Sequence, residues 1–70
     1  MEHWYRFLAR GLQPIYGHGT LGEAFQFAGR LNRARDVIYS TAMVTDEEAQ
    51  ALGLEGTEAF SLTHALAKEG

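Results

Sequence analysis

The chain has 70 residues, enough for one small domain, and it contains no cysteine, which excludes disulfides and thiolate metal sites. Hydrophobic residues make up 46% of the sequence and include four Phe, three Tyr and one Trp, so we expect a packed core and not a disordered chain. No apolar stretch is long enough to span a membrane, and residues 1–6 lack the apolar segment of a signal peptide. A cytoplasmic protein is therefore expected.

The net charge of −3 conceals an asymmetry between the two halves of the chain. Residues 1–35 carry five arginines and two glutamates, a net charge of +3, whereas residues 36–70 carry one lysine and seven acidic residues, a net charge of −6. Such a distribution favours docking of the two halves within one molecule, or head-to-tail contacts between copies. In a domain this small, docking within one molecule is the favoured interpretation.

Two strands are predicted at the start of the chain. Residues 3–10 are rich in aromatic side chains and alternate imperfectly, with Tyr5 and Phe7 on one face and Arg6 and Arg10 on a wetter one. Gly11 interrupts the pattern, and residues 12–16 are predicted to form a short return strand. Pro14 would confine that strand to an edge of the sheet.

A helix is predicted from residue 21 to residue 33 or 35. Thr20 and Glu23 have the spacing of a capping box, in which each side chain satisfies the other residue's backbone amide. Arg30, Arg33 and Arg35 would complement the helix dipole at the far end. The predicted apolar stripe consists of Leu21, Ala24, Phe25, Ala28, Leu31 and Asn32, widened by Phe27.

The second half of the chain predicts a strand and a short helix. Residues 37–44 are largely apolar on both faces, which is typical of a central strand. Thr45 and Glu48 form a second capping box, and Gly53 is a plausible end to the helix that follows. From Thr57 two alternatives remain open: a short edge strand at residues 59–62 followed by a helical turn, or one helix from Thr57 to Lys68.

These elements predict a single α+β domain over residues 1–70. Its order is β(β)αβα followed by a terminal segment, and its layout is two-layer, with a short, mostly antiparallel sheet packed on one principal helix.

The glycine-bracketed segment before the first helix is a candidate ligand site. Gly17, His18, Gly19 and Thr20 precede a helix N-terminus, where free amides and a partial positive charge favour anions. With Arg33 and Arg35 they would form a small-ligand or nucleotide site. The alternative is that the glycines form a turn and that Thr20 caps the helix itself, since no complete phosphate-binding motif is present.

Catalytic and metal sites are not predicted. His3, His18 and His64 are scattered, and none has a carboxylate or a second histidine at helical spacing. No nucleophile motif is present, so neither an enzyme nor a cofactor is expected. The arginines at the helix end are the densest basic cluster, but in an acidic protein they are more often dipole partners than nucleic-acid contacts.

A protein-binding surface is the leading functional prediction. A two-layer domain covers one face of its sheet with helices, so Trp4, Arg6, Leu8 and Tyr16 on the other face would invite a second copy or a partner. The acidic second half would meet basic surfaces. Its candidate residues are Asp46, Glu47, Glu48, Glu55 and Glu58.

The chain resembles a group of short uncharacterised bacterial proteins. The similarity lies in Tyr16-Gly17-x-Gly19-Thr20, Glu23-Ala24, Leu31-Asn32-Arg33-x-Arg35-Asp36, Tyr39, Asp46-Glu47-Glu48-Ala49 and Leu52-Gly53-Leu54. In size, acidity and lack of chemical motifs the chain is also similar to phage-encoded anti-CRISPR inhibitors. The second similarity implies an inhibitor of a bacterial defence complex. Self-association is expected separately, from the small cysteine-free core and the open face of the sheet.

Overall fold

A computed structural model describes residues 2–54 and 61–67 and confirms the α+β class. A short antiparallel sheet packs against one principal helix, and two short helices complete the described part of the chain. The elements are β1 (His3–Leu8), β2 (Ile15–Gly19), α1 (Leu21–Arg35), β3 (Ser40–Val44), α2 (Asp46–Leu52) and α3 (Leu62–Ala67).

The strand order β2-β1-β3 confirms the antiparallel sheet but corrects the predicted position of its third strand. The strand after α1 was predicted to be central, but β3 lies at an edge and β1 occupies the centre, antiparallel to both neighbours. The two-sided apolar pattern of β3 misleads because α1 lies beside one face of the sheet, while α2, which begins two residues after the strand, turns onto the other. β1 needs apolar residues mainly on the face beneath α1.

The return strand lies further along the chain than predicted. β2 spans Ile15–Gly19 and not residues 12–16, so Gly17 and Gly19 belong to the strand and not to a turn. Their Cα partners on β1 are Tyr5 and His3, on the face that α1 covers. A glycine in a strand typically marks a close approach by another element, and here α3 makes that approach.

The core lies between β1, β2 and α1. Phe7 is completely buried and its ring lies 5.3 Å from that of Phe27, in an edge-to-face arrangement. The buried stripe of α1 consists of Ala24, Phe27, Ala28 and Leu31. Burying one such phenylalanine fully contributes about 1.5–3 kcal/mol, so the contact between these two rings is a major part of a core this small.

Both predicted helix starts are confirmed. Thr20 and Glu23 form a complete capping box at the start of α1, and the Thr45 hydroxyl accepts a hydrogen bond from the Glu48 amide at the start of α2. α2 ends at Gly53 in the left-handed conformation, as predicted. α1 ends at Asp36, which adopts φ 54° without being glycine.

α3 holds the outer edge of β2. Ser61 makes a parallel bridge with His18, and Leu62, which follows it, is completely buried. Arg30 Nη1 donates a hydrogen bond of 3.3 Å to the Ala65 carbonyl and joins α3 to α1. Of the two alternatives for the end of the chain, the described residues match the strand followed by a helical turn, because Ser61 pairs with β2 and the helix begins only at Leu62. Thr57, residues 59–60 and Lys68 lie outside the described residues.

Gly19 gives a test of this packing. An added Cβ would lie 2.9 Å from Leu62 Cβ and 2.7 Å from Glu23 Oε1, closer than real side chains approach. We therefore expect Gly19→Ala to lower the free energy of unfolding by about 1–3 kcal/mol, measured by urea denaturation. Gly29→Ala is the matched control, because its Cβ would meet only Arg33 Nη1 at 3.6 Å. A helical alanine should raise stability by up to about 1 kcal/mol. Equal effects of the two substitutions would contradict the packing argument.

Candidate interaction surfaces

An open apolar groove lies between α1 and β3. Its volume is about 350 Å³ and its lining is His3, Tyr5, Leu21, Phe25, Thr41 and Met43. We call this the β3 groove. It forms because β3 is an edge strand whose residues on the helix side, Thr41 and Met43, are only partly covered by α1. The groove is therefore the gap between one helix and an edge strand.

Three large side chains of the β3 groove are more than half exposed. Leu21 is 53%, Phe25 60% and Met43 56% exposed. Leu21 and Phe25 were predicted to belong to the apolar stripe that faces the core, which is wrong. Their four-residue spacing places both on the flank of α1 towards β3, outside the buried stripe. The sequence signal for this was the width of the stripe, which exceeds what one packed helix can bury.

The free edge of β3 adjoins this groove. Within residues 2–54 and 61–67 the strand pairs with β1 alone, so its other side presents backbone amides and carbonyls. The strand reads Ser-Thr-Ala-Met-Val and carries neither a charge nor a proline. Natural edge strands usually carry such residues to prevent pairing with another chain. Ile38, just before the strand, is 85% exposed.

The predicted partner-binding residues of the sheet do share one face. Trp4, Arg6, Leu8 and Tyr16 alternate with the buried residues of their strands and lie on the side away from α1. This face is less open than predicted, because Arg6 Nη1 lies 3.8 Å from Glu48 Oε2 of α2 and Val44 on the same face is 2% exposed. We call the four sheet residues together with residues 46–48 the α2 face.

The α2 face is polar and only partly covered. The pairing of Arg6 with Glu48 is long and half-exposed, so it contributes at most about 1 kcal/mol. Arg6 Nε is buried and has no hydrogen-bond partner within the described residues. Asp46 and Glu47 are exposed on the first turn of α2. Glu55 and Glu58, the other predicted acidic contacts, lie outside the described residues.

The residues of the predicted ligand site are not brought together. His18 lies on the side of the sheet away from α1, where its ring is 5.2 Å from that of Trp4. Arg33 and Arg35 lie in the last turn of α1, which is about 20 Å from Thr20 at 1.5 Å per residue over a 15-residue helix. Arg35 Nη1 is engaged locally, donating a hydrogen bond of 2.7 Å to the Tyr39 hydroxyl.

The N-terminus of α1 already holds a carboxylate. Glu23 Oε1 accepts a hydrogen bond of 2.9 Å from the Thr20 amide, and Glu23 Oε2 accepts one of 2.7 Å from the Thr63 hydroxyl. The bond from the Thr20 backbone, followed by that from Thr63, lowers the pKa of Glu23, although partial desolvation opposes this. An anion at this helix end would have to compete with Glu23.

A second groove, of about 340 Å³, lies on the solvent side of α1. It is polar and is lined by Phe25, Gln26, Gly29, Arg30, Arg33 and Leu66. Arg30 and Arg33 of the predicted basic cluster meet here, whereas Arg35 lies on the flank towards Tyr39. The cluster is therefore divided between two sides of the helix.

The described residues offer neither a grouped set of metal ligands nor a membrane-spanning helix. Across residues 2–54 and 61–67 no three metal-binding side chains are grouped so that they could hold an ion. None of the helices in those ranges combines the length and apolarity that crossing a membrane requires.

Comparison with known proteins gives no relative. No protein-family model matches the chain, and no curated protein or solved structure matches it.

Glu23 makes stability depend on pH in a defined direction. Because its pKa is lower in the folded chain than the ordinary value of 4.5, its contribution is complete above that pH and is lost as the pH falls through the folded value. We expect Glu23→Gln to flatten the fall in unfolding free energy below pH 4.5, measured by urea denaturation at several pH values. Glu47→Gln, which changes the net charge equally at an exposed position, serves as the control. A slope that is unchanged in Glu23→Gln would refute the assignment.

Proposed function

We propose that this chain is a non-catalytic protein-interaction module that binds through the β3 groove and the free edge of β3. The observation that carries the proposal is the meeting of these two features on one side of the molecule. Edge strands recruit an added strand by backbone hydrogen bonds, while pockets beside the edge select its side chains. The lining of the β3 groove is mostly hydrocarbon, which suits binding more than proton transfer.

The magnitudes indicate that both features are needed. Leu21, Phe25 and Met43 are each about half-exposed, so covering them completely would contribute roughly 4 kcal/mol in total. Association costs about 4–15 kcal/mol in lost freedom of motion. The groove alone therefore does not sustain a complex, and pairing along the β3 edge must supply further free energy and the orientation of the partner.

An inhibitor of a bacterial defence complex is one specific form of this proposal. The exposed carboxylates of Asp46, Glu47 and Glu48 project from the first turn of α2, directly after β3. Opposite charges steer association with a basic surface such as those that bind nucleic acids. In this form the β3 groove supplies the contact area and the acidic turn increases the association rate.

Site-specific photo-crosslinking tests the proposed surface. Benzoylphenylalanine in place of Phe25 or Met43 should give discrete covalent adducts on irradiation in bacterial cells, because both side chains lie in the β3 groove. The same photoreactive residue in place of Gln26, on the solvent side of α1, is the matched control and should give few adducts. The measurement is adduct yield on denaturing gels, with the adducts identified by mass spectrometry.

The proposal fails if no discrete adducts form at either groove position, or if the control position gives the same adducts in equal yield. Adducts with a second copy of the chain and adducts with another protein both support the module, and mass spectrometry separates them.

A further inference from the structure

We propose that the partner at the β3 edge is a second copy of this chain, paired antiparallel through β3 about a two-fold axis at Ala42. This inference rests on the proposed function and names the occupant of the same surface. Pairing would join two three-stranded sheets into one continuous sheet of six strands. Such an isologous contact uses the same residues on both copies and closes on itself.

The sequence of β3 suits this register. With Ala42 opposite Ala42 of the second copy, each Thr41 lies opposite a Met43, and each Ser40 lies opposite a Val44. No pair sets two like charges against each other, and the smallest side chain of the strand sits at the axis. Thr41 and Met43 share the side of the sheet that carries the groove, because their partners on β1 are Phe7 and Tyr5.

The β3 grooves of the two copies would merge in this arrangement. The two β1 strands would lie three strand spacings apart, about 14 Å, and α1 packs over each of them. The axes of directly packed helices are 8–10 Å apart. The two α1 helices, about 14 Å apart, would therefore leave a trough about 5 Å wider than a direct helix contact above the paired strands. Leu21 and Phe25 of both copies flank this trough and Met43 of both forms its floor, which would bury the apolar side chains that one copy exposes.

Charge complementarity favours a second copy over an unrelated chain. Within one chain the basic last turn of α1, with Arg33 and Arg35, precedes β3, and the acidic first turn of α2 follows it. These turns lie at opposite ends of a five-residue strand, about 13 Å apart. Antiparallel pairing brings the basic turn of each copy to the same end of the joined sheet as the acidic turn of the other. Because α1 and α2 lie on opposite faces of the sheet, the attraction is a long-range one and not a direct ion pair.

Charge substitutions at the axis test both the surface and its register. Ala42→Glu and Ala42→Lys each place two like charges opposite each other in the dimer, which costs several kcal/mol. We expect each variant alone to dimerise about a hundredfold more weakly than the wild type in sedimentation velocity. Mixing the two variants should restore a dimer, because each pair then carries opposite charges. Gln26→Glu, which changes the net charge as Ala42→Glu does, should dimerise like the wild type.

Two checks separate loss of the interface from loss of the fold. Arg6 lies opposite Ala42 on β1, so Ala42→Glu gains a neighbouring cation and should retain the circular dichroism of the wild type. Ala42→Lys meets a like charge there, so its dimerisation is compared only at temperatures where its circular dichroism equals that of the wild type. In the wild type, without any substitution, backbone amides of β3 that face away from β1 should exchange with solvent more slowly as protein concentration rises.

Two results would overturn the inference. One is a wild-type chain that stays monomeric at every concentration with unchanged amide exchange in β3. The other is a dimer that Ala42→Glu leaves unaffected, since association then uses another surface. Neither result bears on the proposed function when crosslinks from Phe25 and Met43 still join the groove to a different protein, so the two failures are distinguishable.

Discussion

The width of one α-helix relative to three strands is the constraint on which this structure depends. A helix with its side chains is about 10–12 Å across, and strands lie about 4.8 Å apart, so one helix covers two strands well and a third poorly. The burial pattern reflects this limit, because Phe7, Phe27 and Leu31 are buried in one cluster whereas Met43, on the same face of the sheet at the β3 edge, is 56% exposed. The groove beside β3 is the remainder of the same geometry.

The close approach of α3 to β2 decides which edge stays open. Leu62 packs against the bare backbone of Gly19, and Thr63 binds the Glu23 carboxylate that caps α1. A side chain at residue 19 would push α3 away from that edge and remove the fully buried Leu62 from the core. The second layer is thus drawn to the β2 side, and β3 keeps a free edge within the described residues. Packing at one edge of the sheet and exposure at the other therefore have one cause.

Local signals in the sequence predicted the helices well and the sheet less well. The helix starts at Thr20 and Thr45 and the stop at Gly53 are confirmed because they depend on residues three or four apart. The capping box is complete only at Thr20, since Glu48 Oε1 accepts its hydrogen bond from the Thr45 hydroxyl. The position of β3 depends on which elements cover its two faces, which is tertiary information. Val44, two residues before α2, is only 2% exposed on the face away from α1. An edge strand can therefore carry a buried apolar residue on that face without a second neighbouring strand.

The surface that the sequence predicted and the β3 groove lie on different faces of the sheet. The sequence indicated a protein-binding sheet surface, and the alternation of Trp4 with Tyr5 correctly separated the two faces of β1. The width of the apolar stripe on α1 indicated that part of it would stay exposed. It did not identify Leu21 and Phe25 as that part, because hydrophobic periodicity gives the direction of a helix face but not the width of the sheet below it. By contrast, the distance between Gly19 and Arg33 could have been predicted from the sequence, because it follows from the predicted length of α1 and the rise per residue of a helix.

Marginal stability connects this exposed surface with the proposed self-association. A chain of 70 residues buries only about 60% of its unfolded surface, and with no cysteine it has no disulfide to supplement its core. Burying Phe25 and Met43 between two copies would extend the apolar core across the axis at Ala42. Because that gain depends on mass action, the stability of the fold would increase with protein concentration. Pairing through the unprotected β3 edge would then bury the apolar side chains that a single helix leaves exposed beside β3.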